Sequence, residues 1–231
     1  MRAFVAAPKA EGRYPAVLFY SDIFQLTGPM LRASARLAGY GFVVAAPEIY
    51  HRIEPAGLVI PFDDAGRTRG LEDAARTPVA HFDRDCRAAL DYLSSHARVA
   101  PGKIGAAGFC IGGHLSFRAA MAGEVRATVC FYGTGIHNGR LGADEDAVSL
   151  ARAGEIAGEL LLVWGAQDPH IPEDGRAKIE AALKAAGVNY SQRIYQAEHA
   201  FMRDEGSRYD AEATDRAFGD MIELYRRVFS N

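Results

Sequence analysis

Residues 103–109, Lys-Ile-Gly-Ala-Ala-Gly-Phe, read as a short apolar strand, and residues 111–122 read as a helix. Between them stands Cys110, framed by Gly108, Gly112 and Gly113. A strand that enters a helix through one residue must turn sharply. Glycines on both sides leave room for the two backbones to approach. The turn lifts the Cys110 side chain above the carboxyl edge of a sheet. It belongs to architectures in which strands and helices alternate along the chain.

The rest of the chain keeps that alternation. Strand-like runs occupy 15–21, 42–47, 126–133, 158–165 and 188–196, and helical spacing occupies 29–39, 79–96, 175–187 and 211–229. In the segment 79–96, Val79, Phe82, Cys86, Ala89, Leu90 and Leu93 recur on one helical face. In 211–229, Phe218, Ile222, Tyr225 and Phe229 do the same. The strands are apolar throughout rather than alternating, as expected for strands covered on both faces. The expected fold is therefore α/β, with a mostly parallel sheet and helices on both faces; the small-residue frame around Cys110 resembles the nucleophile turn of the α/β-hydrolase fold, which is the architecture expected. One domain over residues 1–231 accommodates it. From about 48 to 77 periodicity is lost among Pro, Gly, Asp and Arg, and a long loop or lid is expected there.

Several function classes are disfavoured. Lys and Arg number 26 against 29 Asp and Glu, so there is no cationic excess to bind nucleic acid. No apolar run approaches the ~18 residues of a membrane helix. The opening residues MRAFVAAPKAEGRYP lack the long apolar stretch of a signal peptide. Three cysteines form an odd set with no CxxC pair, which predicts free thiols in a reducing cytoplasm. Cys86 and Cys130 fall on apolar faces and are expected to pack in the core. No metal site or organic cofactor is expected.

Cys110 at a helix N-terminus has the dipole and free N–H groups that favour a thiolate. The Ile111 N–H, directly after it, is positioned to donate to an oxyanion. An activated thiol also needs a base, and the base needs an orienting group. Asp168 follows the strand ending at Gly165, and His199 follows the last strand, so Cys110, Asp168 and His199 arrive in chain order just past three strands. Beside them, His170 reads as a surface residue, while His114 and His51 have no evident partner.

These segments together resemble the dienelactone hydrolase (carboxymethylenebutenolidase) family. The resemblance runs from about residue 15 to the end. Its carriers are Ser21-Asp22-Ile23-Phe24, Ala46 to Tyr50, Gly108 to Gly113, Phe131-Tyr132-Gly133, Gly165 to Asp168 and His199 to Arg203. The family implies a cysteine-dependent hydrolase that opens an enol-lactone through a Cys-His-Asp triad and a thioester, without cofactor. Carried over residue by residue, Asp22 takes the place of a glutamate that helps deprotonate the thiol, one methylene shorter. Ile23 supplies the second oxyanion N–H, and Arg203 grips a substrate carboxylate. A second arginine would come from Arg67, Arg69 or Arg76. Phe24 and Tyr132 would line the substrate pocket. The expected partner is a small lactone or ester, and the expected assembly a monomer or small homo-oligomer. Two other readings fit the same residues: a carboxylesterase or thioesterase for another small metabolite, and a non-catalytic thiol sensor or ligand binder.

Overall fold

The computed structural model describes residues 1–230. Seven strands form one sheet: β1 Ala3–Ala6, β2 Tyr14–Tyr20, β3 Val43–Pro47, β4 Val99–Phe109, β5 Val125–Phe131, β6 Glu159–Gly165 and β7 Tyr190–Tyr195. Their spatial order is β1-β3-β2-β4-β5-β6-β7. Only β1 runs antiparallel, against β3; the remaining pairs are parallel. The expected α/β-hydrolase architecture is what forms. Strand β1 escaped the sequence reading because it is four residues long and half exposed at the sheet edge.

Among the described residues, six α-helices pack around the sheet: α1 Gly28–Gly39, α2 Asp64–Arg76, α3 Val79–Ser95, α4 Ile111–Ala119, α5 Glu173–Ala185 and α6 Ala211–Phe229. The period of two along β2 divides its side chains between two cores. Ala16, Leu18 and Tyr20 join Leu90 and Leu93 of α3, whereas Val17 and Phe19 join Leu37 of α1 and Phe218 and Met221 of α6. Phe19 and Phe131 are fully buried, and truncating either to Ala would cost about 3–5 kcal/mol. The amphipathic spacing of α6 buries Phe218, Ile222, Tyr225 and Phe229, and Asp210 caps its start by accepting from the Ala213 N–H at 2.9 Å.

The loop expected over 48–77 needs correction, because its second half is helix α2. The helix has almost no apolar stripe. The residues it buries are Gly66, Gly70 and Asp73. A Cβ on Gly70 would stand 2.5 Å from the Ile23 carbonyl oxygen, so α2 packs by close backbone approach. A face built of glycine and aspartate gives no hydrophobic period to read. What does mark the helix is its cap: Asp63 accepts from the Gly66 N–H at 2.7 Å. No helix among the described residues is long and apolar enough to cross a membrane.

Candidate active site

The glycine frame explains how Cys110 is held. A Cβ on Gly108 would lie 2.1 Å from the Gly112 carbonyl oxygen, and one on Gly112 would lie 2.4 Å from the Ser21 carbonyl oxygen. Side chains at these positions would push β4, α4 and the end of β2 apart. Cys110 itself has φ 57° and ψ −119°, a conformation rare for a residue with a side chain. Its amide donates to the Phe131 carbonyl at 3.1 Å, and its carbonyl accepts from Gly113 at 2.9 Å and Thr134 at 3.2 Å. The strained turn is thus bonded on both sides.

His199 and Asp168 meet across the carboxyl ends of β6 and β7. His199 Nδ1 lies 2.7 Å from Asp168 Oδ2, and both side chains are buried. Asp168 Oδ1 accepts from the His170 amide at 2.8 Å, which fixes the carboxylate. Gly165 allows this meeting, since a Cβ there would be 2.4 Å from the Ala197 carbonyl oxygen. With Nδ1 bound to Asp168, Nε2 is the nitrogen left for the sulfur. Burial works to lower the His199 pKa, but the neighbouring Cys110 and the hydrogen bond to Asp168 outweigh it and raise it to about 10.

The 22–25 turn approaches the same place from β2. Neither the Ile23 nor the Ile111 N–H donates a hydrogen bond among the described residues. Asp22 is doubly engaged: Oδ1 accepts from the Phe24 amide at 2.9 Å, and Oδ2 accepts from Arg203 Nη2. Arg203 is buried, with its guanidinium carbon 4.8 Å from the Phe24 ring centre and 4.4 Å from that of Phe62. Its Nη1 is buried and has no hydrogen-bond partner among the described residues. Tyr132, with φ 38°, packs edge-on against His199 at 5.2 Å. Asp22, Thr27, Met30, Tyr132, Met202 and Arg203 line a narrow cavity of about 10 Å³, room for about one water.

The sequence-selected residues Cys110, Asp168, His199, Asp22, Ile23, Ile111, Arg203, Phe24 and Tyr132 therefore surround one site. Of the α2 arginines, Arg69 is held bidentate by Glu54 at 2.6 Å through each nitrogen, while Arg67 and Arg76 are exposed, and the charge of Arg67 is felt at His170 beside His199. Phe62 was missed because it sits in the stretch read as loop. His170, expected as surface, is exposed but stacks edge-on to His199 at 4.7 Å between ring centres. No spacing rule could reveal that contact. All three cysteines are free thiols.

The model of the dienelactone hydrolase family matches residues 1–229. A Saccharomyces cerevisiae protein assigned provisionally as a carboxymethylenebutenolidase is 36% identical, over 98% of this chain and 86% of that protein. A carboxymethylenebutenolidase of a Pseudomonas species is 27% identical, over 95% of this chain and 87% of its own. Among solved structures, a protein of Klebsiella pneumoniae assigned provisionally as a dienelactone hydrolase superposes with a TM-score of 0.83. It is 25% identical and covers 97% of this chain and 92% of that one.

Proposed function

This chain belongs to the dienelactone hydrolase family and is a hydrolase of ester or lactone bonds, and from that premise we propose that Cys110 is its nucleophile. His199 acts as its base and Asp168 orients the base. The observation that carries this reading is the Asp168–His199 pair at 2.7 Å, set at the sheet edge where the glycine-framed elbow holds Cys110.

The chemistry follows from the geometry. The thiol proton passes to His199 Nε2, giving a thiolate and an imidazolium that Asp168 holds through Nδ1. The thiolate attacks the ester carbonyl carbon, and its oxygen takes the negative charge. The Ile23 and Ile111 N–H groups, which have no other partner, are the donors for that oxyanion. The carbon–oxygen ester bond breaks, and the leaving oxygen takes the proton from His199. In a lactone this oxygen stays tethered to the acyl group.

Acylation removes the sulfur's charge, which is the largest influence raising the His199 pKa. Having given its proton to the leaving oxygen, His199 is the neutral base that the second half needs. It takes a proton from water as the oxygen attacks the thioester, the carbon–sulfur bond breaks, and the carboxylate product leaves. One imidazole thus serves both halves of the reaction, as acid in the first and base in the second.

The substrate proposed is a small activated ester, with an enol-lactone as the family's names suggest. Arg203 with its free Nη1 favours an acceptor group such as a carboxylate on that substrate. Such a group would compete with Asp22 for Arg203 and release the Asp22 carboxylate toward the site. A second reading, an uncharged ester, is favoured by the fact that Arg203 already carries a counterion. Turnover of cis-dienelactone beside neutral aryl acetates, with wild type and Asp22→Asn, tests both. Preference for the lactone, reduced in Asp22→Asn, supports the anionic substrate. Equal use of neutral esters by both proteins supports the second. No turnover of either by wild type contradicts the proposed substrate class.

A further inference from the structure

Behind the elbow lies a buried hydrogen-bond chain that the mechanism above does not use. Arg118 binds Asp83 through Nε at 2.8 Å and Nη2 at 2.6 Å. Its Nη1 donates to the Ala147 carbonyl at 2.8 Å and to Ser149 Oγ at 3.0 Å. A guanidinium only donates, so the Ser149 hydrogen is free to point at His114 Nε2, 2.7 Å away. That fixes the tautomer: Nε2 accepts, and Nδ1 carries the proton and donates to the Thr134 carbonyl at 3.0 Å. His114 is wholly buried, and burial, opposed by the Thr134 bond, lowers its pKa to about 3. Arg118, His137 and Asp83 are the charged or titratable groups around it.

Thr134 connects this chain to the sulfur. Its N–H holds the Cys110 carbonyl at 3.2 Å. Its Oγ1 lies 3.9 Å from Cys110 Sγ. That is long for a hydrogen bond, but such contacts shorten when charge forms on the acceptor. The other groups that act on the sulfur's surroundings are His199 with Asp168 behind it, the Asp22–Arg203 pair, and the buried phenols of Tyr50 and Tyr132. Thr134 differs from them in approaching the sulfur with its hydroxyl while its own N–H holds the nucleophile's carbonyl.

We propose that the Thr134 hydroxyl is a catalytic donor to the Cys110 thiolate, and that His114 is the positioning residue that holds Thr134 there. The inference rests on Cys110 being the nucleophile. The thiol proton still passes to His199; Thr134 keeps its own proton and only lends the hydrogen bond. Ser149 and Arg118 serve by fixing the His114 tautomer.

The test is the pH profile of Cys110 alkylation by iodoacetamide in the full chain, with the labelled site read by peptide mass spectrometry. This profile needs no substrate turnover. Thr134→Val, which keeps shape and loses the hydroxyl, shifts the profile to higher pH by about one unit and slows acylation by an aryl ester about tenfold. Thr134→Ser restores both. His114→Phe moves the profile in the same direction, whereas His114→Gln, whose amide can make the same two bonds, stays close to wild type. If His114→Phe does not fold, the Thr134 pair carries the test alone. A wild-type alkylation profile in Thr134→Val overturns the proposal. Retained esterase activity in Cys110→Ala overturns the nucleophile assignment instead, and the two failures are read in different assays.

Discussion

Arg203 donates through Nη2 to Asp22 Oδ2, joining residues 181 positions apart in the chain. The pair is largely closed off, the two side chains being 5% and 15% exposed. Removing the arginine alone therefore leaves a carboxylate without its counterion. Arg203→Met is expected to lose about 3 kcal/mol of stability to urea unfolding at neutral pH. The double variant Asp22→Asn/Arg203→Met is expected to regain most of it. Equal losses in the two proteins would mean that the ion pair is not what holds this corner of the site.

The backbone at Cys110 gives a second prediction. At φ 57° and ψ −119° any residue with a Cβ is strained, and the hydrogen bonds from Thr134 and Gly113 keep it there. Glycine relieves that strain, worth about 1–3 kcal/mol, against its larger entropy loss on folding of about 0.5–1 kcal/mol. Cys110→Gly is expected to melt at a higher temperature than Cys110→Ala, since both lack the sulfur and differ in the Cβ. A lower melting temperature for the glycine variant would place no strain at the elbow.

A third prediction concerns pH and helix α2. Asp73 is buried with Oδ2 unpartnered, and burial together with neighbouring Glu54 raises its pKa from the ordinary 3.8 to about 6. Between those values the folded protein holds a proton that the unfolded chain has released. Stability must then fall as pH rises through this window. Glu54 has the opposite sign, because Arg69 holds its carboxylate below the ordinary range, and it acts at lower pH. Asp73→Asn is expected to lose the downward slope between about 3.8 and 6 and to be more stable than wild type above it. Urea midpoints measured across pH decide this, and an unchanged slope in the variant would contradict it.

Much of the frame was legible because its signals are local. Continuous apolar runs marked the central strands, and glycines around Cys110 marked a turn whose steric need the structure makes plain. Cys110, Asp168 and His199 were found by their places after strands, and they do lie at the carboxyl edge. The parts that were missed depend on the fold. Helix α2 buries glycines and Asp73, so it has no apolar stripe. The Asp22–Arg203 pair and the His114–Ser149 contact are long-range, and no spacing announces them. Thr134 lies just past a strand with an ordinary side chain, and only its 3.9 Å approach to the sulfur sets it apart.

The central claim is that Cys110 carries the acyl group during turnover. The most direct measurement is the intact mass of the protein quenched within the first turnovers of p-nitrophenyl acetate, for wild type, Cys110→Ala and His199→Ala. The account predicts a nitrophenol burst in wild type and an added acetyl mass that maps to Cys110. It predicts neither in Cys110→Ala, and slow deacylation of any adduct in His199→Ala. Equal turnover by wild type and Cys110→Ala, with no acetyl on Cys110, would contradict it.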